Sequence, residues 1–210
     1  MKLNFNSGKS GKVHILLGGE YFITVDEDFI LSCGYANGDN IEGAELAAFI
    51  EAAGLRSAFV AALRLLANRD YGRKELENKL VLKGVERDFA QAASLKAEEM
   101  GYVDDEAYAV MLARRLSESK GYSSKKIKYE LVSKGISHEN AEIACEKLDN
   151  NPVLRIIELL NSKHRNSLND EKGRRRTVAA LTRLGYGYSD IRTALREYEI
   201  SVDAEDYFDE

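Results

Sequence analysis

The stretch that decides the fold is YGRKELENKLVLKGV, residues 71–85, because the chain repeats its pattern twice more. A shift of 51 residues places it over YSSKKIKYELVSKGI, residues 122–136, and a further shift of 50 reaches KGRRRTVAALTRLGY, residues 172–186. All three copies carry a leucine and, four residues later, a glycine: Leu80 and Gly84, Leu131 and Gly135, Leu181 and Gly185. Self-similarity at a fixed period of this length predicts a protein built from repeated structural units.

Each copy contains the capping residues and terminal glycines of three helices. In the first copy we predict helices over 58–69, 73–82 and 86–100, with Gly84 and Gly101 as left-handed C-caps. In the second copy the predicted caps are Asp104 or Asp105, then Ser123 or Ser124, then Ser137, with Gly121 and Gly135 ending the first two helices. In the third copy they are Asn151 followed by Pro152, then Asp170, then Ser189.

The fold class that follows is mainly α. One three-helix unit has too little apolar surface to be stable alone, so we expect three tandem units, over 56–102, 103–150 and 151–200, to stack into an elongated, curved body. Residues 1–55 differ: Val13–Leu17 and Glu20–Val25 flank Gly18-Gly19 and predict a β-hairpin. We expect a helix capped by Asp26 or Asp28, and a short helix from Glu42 to Ala53 that stops at Gly54.

The formal net charge of −5 hides an uneven distribution. Residues 1–55 carry 3 basic and 8 acidic side chains, whereas residues 56–200 carry 27 basic and 22 acidic ones. The tail, residues 201–210, has 5 acids and no base. The repeats are therefore net positive, and the acidic tail either competes with phosphates for their surface or serves as a solubilising terminus.

Composition and motifs argue against several classes of protein. Cys33 and Cys145 are far apart, which excludes a disulfide framework and indicates a reducing, cytosolic setting. There is no run of about 18 apolar residues, so we expect a cytoplasmic chain with no membrane contact. The histidines are isolated, Asp104-Asp105-Glu106 suit a helix N-terminus, and no nucleophile or nucleotide motif is present. We therefore expect no cofactor, no metal and no enzymatic activity.

Basic residues of the repeated segments are the better functional lead. Lys74, Lys125 and Arg175 occupy the same register in the three copies and would form a spaced row of positive charge if the units stack regularly. Such a row suits a phosphate backbone or a repeating acidic protein surface. In the third copy Arg176 and Arg183 project away from the apolar stripe, whereas Arg174 lies nearer to it. A solvated helix face that only maintains solubility is the alternative.

The order of motifs resembles the RecX family, whose members regulate the RecA recombinase in bacteria. The resemblance begins at ALRLLANR, residues 62–69, and continues through RKEL, residues 73–76. GYVDDEAYA, residues 101–109, resembles the most recognisable family signature, and Leu181, Leu184 and Gly185-Tyr186 fit its closing segment. The resemblance covers about residues 58–198. Gly72 departs from a usual serine and Tyr186 from a usual phenylalanine.

The resemblance implies three three-helix units that lie in the groove of the filament formed by RecA on single-stranded DNA. There the family typically blocks growth or promotes disassembly, and so lowers ATP hydrolysis and strand exchange. We expect a monomer whose contacts are Lys74, Lys125, Arg175, Arg176 and Arg183, with Arg73, Lys83 and Lys134 as weaker candidates. Two alternatives stay open: a helical DNA-binding protein that acts without a recombinase, and a protein-binding scaffold.

Overall fold

A computed structural model of the chain describes residues 1–148, 151–164, 168 and 170–206. It begins with a three-stranded antiparallel sheet in the order β1 (Leu3–Ser7), β2 (Lys12–Leu17), β3 (Glu20–Asp26). The predicted hairpin is confirmed: Leu17 pairs with Glu20 across Gly18 and Gly19, whose φ angles are +61° and +95°. A two-residue turn of this kind needs positive φ, which glycine adopts without steric cost.

A short helix, α1 (Glu27–Ser32), follows the sheet at once. Asp26 caps it by accepting a hydrogen bond of 3.0 Å from the Phe29 amide, as predicted. The same carboxylate forms an ion pair with Arg56 of the next helix, in which Arg56 Nε lies 2.7 Å from Asp26 Oδ2. Because of the hydrogen bond from Arg56, the pKa of Asp26 is lowered from its ordinary value although burial acts in the other direction.

The prediction of a short helix ending at Gly54 is wrong. A single 24-residue helix, α2 (Gly43–Leu66), runs through Gly54 and merges the predicted helices 42–53 and 58–69. Gly54 is buried, and a Cβ atom there would lie 2.5 Å from Cε2 of Phe89. Glycine is thus present because the Phe89 ring lies against the helix backbone, not because the helix ends.

Helix α2 also bears on the expectation of no membrane contact. By length and composition alone it is apolar enough to cross a membrane, a test that core helices of globular proteins also pass. Here Phe49, Phe59 and Leu65 are buried, and the helix packs against β3 and against helix α4 (Arg87–Glu99). This packing buries 33% of the most apolar 18-residue window of the helix.

The first repeat continues with α3 (Arg73–Leu82) and α4, close to the predicted limits. Gly84 and Gly101 follow the two helices with φ angles of +88° and +74°, which confirms their predicted role as left-handed caps. Gly72 is the N-cap of α3 and supplies no side-chain hydrogen bond. The first middle helix therefore lacks the capping interaction that serine provides in the second repeat.

The second repeat contains α5 (Asp105–Arg115), α6 (Ser124–Ser133) and α7 (His138–Glu146). Ser123 and Ser137 cap α6 and α7, since their hydroxyl oxygens accept hydrogen bonds of 3.3 Å and 3.1 Å from backbone amides. One feature was not predicted: α5 continues into a π-helical turn, Leu116–Lys120, before Gly121 ends it. A π-helical turn contains about one residue more than an α-helical turn. No residue pattern in the sequence predicts its position.

The third repeat contains α8 (Pro152–Leu159), α9 (Glu171–Arg183) and α10 (Tyr188–Asp206). Asn151 and Asp170 cap α8 and α9 as predicted. A second π-helical turn, Leu160–His164, again follows the first helix of the repeat. The last helix begins at Tyr188, one residue before its predicted cap Ser189, and extends into the acidic tail; residues 207–210 of the tail lie outside the described residues.

The expected fold class, mainly α with a small β-containing N-terminal section, is confirmed. In the described chain, buried side chains form four clusters, which span residues 3–53, 58–103, 108–145 and 156–198. By contacts the chain divides into two compact units, Met1–Asp104 and Asp105–Glu210. The four-part division at 55, 102 and 150 stays a prediction, and residue 55 lies inside α2. The elongated, curved shape likewise stays a prediction.

Candidate functional site on the middle helices

The predicted contact residues lie on the middle helices α3, α6 and α9, or directly after them. Lys74 and Lys125 are each the second residue of their helix. Arg175 is in the second turn of α9, because that helix begins at Glu171, about one turn earlier than its counterparts. The three sequence copies align when residues are counted back from the glycine that follows each middle helix. This alignment did not predict that α9 begins about one turn earlier than α3 and α6.

Lys74 is engaged by an acid of its own helix. Its Nζ lies 2.6 Å from Oε1 of Glu77, whose side chain is only 5% exposed. A carboxylate so far removed from water requires a nearby cation, so Lys74 has a structural role. Arg73, one residue earlier, pairs with Glu98 of α4 at 3.1 Å. Arg73 therefore links two helices of the first repeat, whereas Lys74 pairs within α3.

The three consecutive arginines of α9 make different contacts. Arg174 pairs with Glu199 of α10 at 2.9 Å and also donates to the Leu168 carbonyl. Arg175 pairs with Glu171 of its own helix at 2.5 Å, both side chains being 79% exposed. Arg176 is exposed and forms no ion pair with any described residue. The segment is therefore not one basic patch, in agreement with the helical spacing.

Four of the eight predicted cations are exposed and form no ion pair within the described part of the chain. They are Lys83, Lys125, Arg176 and Arg183. Arg176 and Arg183 are seven residues apart and share one face of α9, on the side away from buried Leu181. Lys172 lies four residues before Arg176 and extends this exposed strip, here called the α9 strip, over about 16 Å.

Lys83 and Lys134 occupy equivalent positions at the C-caps of α3 and α6. The amide of each donates to a carbonyl at the end of its helix, Lys83 to Leu80 at 2.9 Å and Lys134 to Leu131 at 3.1 Å. A cation at this end of a helix is favoured by the partial negative charge of its last carbonyls. Both lysines therefore lie where a cation stabilises the end of a helix.

The N-terminus of α6 meets the C-terminus of α9. The Ser123 amide donates a hydrogen bond of 3.0 Å to the Leu184 carbonyl, and a Cβ atom on Gly185 would lie 2.5 Å from the Ser123 hydroxyl oxygen. The middle helices of the second and third repeats thus meet end to end. Lys125 is placed beside this contact and is one of the residues that line a pocket there.

Two further residues of that pocket, Arg155 of α8 and Tyr186 after α9, were missed by sequence reasoning as site residues. Tyr186 is 5% exposed, and the Arg155 guanidinium is the polar group beside its hydroxyl. Burial raises the pKa of Tyr186 from its ordinary value. A signal was available: Tyr186 stands where the other copies have Val85 and Ile136. A hydroxyl at an otherwise aliphatic core position calls for a polar neighbour.

Residues that could carry metal or covalent chemistry are not brought together in the described residues. No group of three or more histidine, cysteine, aspartate or glutamate side chains is positioned to hold an ion there. Glu106 of the acidic cluster pairs with Lys147 at 2.8 Å. Both cysteines are free thiols, and burial raises the pKa of Cys145, so its reactive thiolate form is disfavoured.

Comparison with known proteins identifies the first two repeats. Residues 58–93 match the model of the first three-helix domain of RecX, and residues 104–144 match that of the second. A curated "Regulatory protein RecX" of Caldanaerobacter subterraneus subsp. tengcongensis is 30% identical over 160 residues, which cover 76% of this chain and 81% of the relative. Another, from Xanthomonas axonopodis pv. citri, is 32% identical over 136 residues, covering 64% and 83%.

Two solved structures share the fold. One described as a regulatory protein RecX aligns with a TM-score of 0.68 at 20% identity, covering 93% of this chain and 98% of that one. RecX from Lactobacillus salivarius aligns with a TM-score of 0.59 at 24% identity, covering 70% and 97%. At these identities the structures support the fold, and the sequence relatives support the family.

Proposed function

The chain belongs to the RecX family, and from that premise we propose that it regulates the RecA recombinase by binding in the groove of the filament that RecA forms on single-stranded DNA. The observation that carries the proposal is the similarity to a regulatory protein over 81% of that protein's length. The proposed role is a binding role without catalysis, in the cytoplasm, within DNA recombination and repair.

The middle helices support the proposed way of binding. A filament presents the same surface at regular intervals, and three related units in one chain suit successive copies of it. Linking modest contacts in one chain raises the overall affinity without a large single interface. The α9 strip and Lys125 supply exposed positive charge that no described acid neutralises, which suits either acidic protein surface or phosphate.

Regulation then requires only a difference in affinity. If the chain binds one state of the filament more tightly than another, it shifts the filament toward that state by its differential binding energy. Occupation of the groove would also obstruct the second DNA strand. Lower ATP hydrolysis and lower strand exchange are the expected consequences.

The alternative of a DNA-binding protein that acts alone has one observation in its favour and one against it. The three-helix units resemble helix-turn-helix modules in their connectivity. However, the third helix of the first repeat with its caps, residues 86–100, carries two basic and four acidic side chains. A helix that reads a DNA groove carries the opposite balance.

The experiment that tests the proposal is a titration of DNA-dependent ATP hydrolysis by RecA with the full chain, at two DNA and two salt concentrations. We expect inhibition at substoichiometric protein that does not depend on total DNA. Inhibition that excess DNA relieves would instead show competition for the strand and favour the alternative. An unchanged rate at saturating protein would overturn the proposal.

A further inference from the structure

A pocket in the N-terminal unit, which the proposed function does not use, is lined mainly by polar and basic side chains. It has a volume of about 320 Å³ and is here called the sheet pocket. Three parts of the chain line it: the turn between β1 and β2, the strands β2 and β3, and the face of α2 that contains Ser57 and Arg64. Each part contributes hydrogen-bond donors that the fold leaves without a partner.

The turn between β1 and β2 forms the first wall. Its sequence is GKSGK, residues 8–12, and the Gly8 amide donates a hydrogen bond of 2.7 Å to the Lys12 carbonyl. Ser10 has a φ angle of +58° and is the one non-glycine residue with positive φ in the described residues. A side chain adopts this conformation at a steric cost, so glycine would be easier to accommodate. Neither the Ser10 hydroxyl nor the Lys12 ammonium has a partner in the described chain.

Helix α2 forms the second wall. The lining residues Ser57, Val60, Ala61 and Arg64 are three or four residues apart and therefore share one face of the helix. A serine within a helix commonly donates to a carbonyl of the preceding turn, but the partly buried Ser57 hydroxyl makes no hydrogen bond among the described residues. The exposed guanidinium of Arg64 lies about 10 Å further along the helix and forms no ion pair there.

The strands form the third wall through His14 and Thr24, which are paired in the β2–β3 register. His14 Nδ1 lies 2.7 Å from the Thr24 hydroxyl oxygen, and the Tyr21 hydroxyl lies 3.0 Å from the same oxygen. These contacts hold the imidazole in place and leave its Nε2 without a partner in the part of the chain that the structure describes. A Cβ atom on Gly8 would lie 2.9 Å from that nitrogen, so the turn and the imidazole are close together.

The charges around the sheet pocket are not balanced. Asp26 is the carboxylate among the lining residues, and both its oxygens are engaged. Its Oδ1 accepts from the Phe29 amide at 3.0 Å and from Arg56 Nη2 at 2.9 Å, and its Oδ2 accepts from Arg56 Nε at 2.7 Å. Because Arg56 neutralises Asp26, Lys12 and Arg64 contribute two positive charges that no lining acid offsets. The pocket therefore lacks an anionic acceptor of hydrogen bonds.

We propose that the sheet pocket binds inorganic phosphate or the terminal phosphate of a phosphate monoester. Lys12 and Arg64 supply the positive charge, and Ser10, Ser57 and His14 Nε2 donate hydrogen bonds. A phosphate monoester carries about −1.5 to −2 charges at pH 7 and three acceptor oxygens, which matches two cations and three walls of donors. A carboxylate has one charge and two oxygens in a plane, and matches them less well. The inference does not depend on the proposed function, since it concerns the chain without a recombinase.

The test is proton NMR of the full chain titrated with inorganic phosphate, against chloride at the same ionic strength and pH. The sequence has 3 histidines, so each imidazole signal can be followed separately. His138→Gln and His164→Gln assign two of the signals, and the third belongs to His14. We expect a saturable shift of the His14 signal and no shift of the other two at the same phosphate concentrations.

Variants of the pocket test the assigned donors. Lys12→Gln and Ser57→Ala remove groups that have no partner in the described chain, so both should fold normally, and alanine also favours the helix. We expect the Kd for phosphate to rise about tenfold in Lys12→Gln and about threefold in Ser57→Ala, because a bond from a cation is the stronger one. The matched controls Lys83→Gln and Arg87→Gln remove exposed cations of the same unit outside the pocket, and should bind within about twofold of wild type.

Three results would overturn the proposal: no saturable shift in wild type, an equal shift of all three histidine signals, or unchanged affinity in both pocket variants. A competition experiment then tests the kind of phosphate. Short oligothymidylate without a terminal phosphate contains only phosphodiesters, and we expect it neither to shift the His14 signal nor to displace phosphate. Displacement of phosphate by this oligonucleotide would contradict the assignment and show that the pocket accepts a nucleic acid backbone instead.

Discussion

Lys74 and Arg175 occupy equivalent positions in their repeats, yet they meet acids of different burial. The Glu77 side chain beside Lys74 is 5% exposed, whereas the Glu171 side chain beside Arg175 is 79% exposed. Removing the cation therefore leaves a buried carboxylate without a counter-charge in the first case and a solvated one in the second. The difference changes which residues can serve to test binding.

We expect Lys74→Gln to lower the free energy of unfolding by about 1–3 kcal/mol, because a buried charge loses its partner. Its matched control is Arg175→Gln, which removes an exposed pair and should change stability by less than about 0.5 kcal/mol. Urea unfolding followed by circular dichroism measures both. Equal losses in the free energy of unfolding would show that the burial of Glu77 does not determine the cost of removing its partner.

The ion pair between Asp26 and Arg56 predicts a dependence of stability on pH. Hydrogen bonding from Arg56 lowers the pKa of Asp26 in the folded state, so the stabilisation is present at neutral pH and is lost as the pH falls below about 4. Arg56→Gln should therefore be less stable than wild type by about 1 kcal/mol at pH 7, a modest value because both side chains are partly exposed.

The gap between wild type and Arg56→Gln should close as urea unfolding is repeated toward pH 2.5. Arg64→Gln, on an exposed part of the same helix, is the control and should track wild type throughout. A gap that is as large in acid as at neutral pH would contradict the assigned cause.

At the scale of elements, the glycines that follow the middle helices have different surroundings. Gly84 and Gly185 have φ angles of +88° and +92°, so any side chain is strained at either position. An added Cβ atom at Gly84 would meet nothing within 4 Å, whereas at Gly185 it would lie 2.5 Å from the Ser123 hydroxyl oxygen and 2.7 Å from Lys126 Cβ. Of these two glycines, only Gly185 also allows two repeats to approach each other.

Gly84→Ala should cost about 1–2 kcal/mol, the strain of a left-handed conformation. Gly185→Ala should cost about 1–3 kcal/mol more, because it also forces α6 and α9 apart. Thermal and urea unfolding of the two variants give the comparison. If both alanine variants lose the same stability, the end-to-end contact of α6 and α9 contributes nothing.

Helix boundaries show how far the sequence alone predicts these elements. Capping residues and glycines predicted α3, α4, α6 and α7 to within about one residue at most ends, because caps are local chemistry. Gly54 led to the prediction of a helix end that does not exist, because this position requires glycine for a tertiary contact with Phe89. The π-helical turns and the early start of α9 also depend on packing, and no local residue pattern signals them.

At the scale of the whole molecule, the sequence predicted the repeat, the fold class and the family, because these depend on periodicity and motif order. It predicted the candidate site less well. Periodicity placed Lys74, Lys125 and Arg175 together as a row, but it could not show that buried Glu77 engages the first and Glu171 the third. It also missed Arg155 and Tyr186, whose pocket exists only where two repeats meet.

These contacts select the variants for testing filament binding. Arg176→Glu with Arg183→Glu reverses two exposed charges of the α9 strip and should weaken binding to the RecA filament at least tenfold, while leaving helicity intact. The matched control, Arg192→Glu with Arg196→Glu, makes the same change in charge on exposed positions of α10. It should retain binding within about threefold, since charge alone acts weakly at physiological salt. Equal loss in both variants would show that net charge and not the α9 strip is responsible.

The central claim is that the target is the filament, and cosedimentation of the full chain tests it most directly. Preformed filaments of RecA on single-stranded DNA are compared with the same DNA alone, and with RecA alone, at physiological salt. We predict that the chain sediments with the filament, saturates at a fixed ratio to RecA, and stays in the supernatant with either component alone. Equal sedimentation with bare DNA, or none with the filament, would contradict the account.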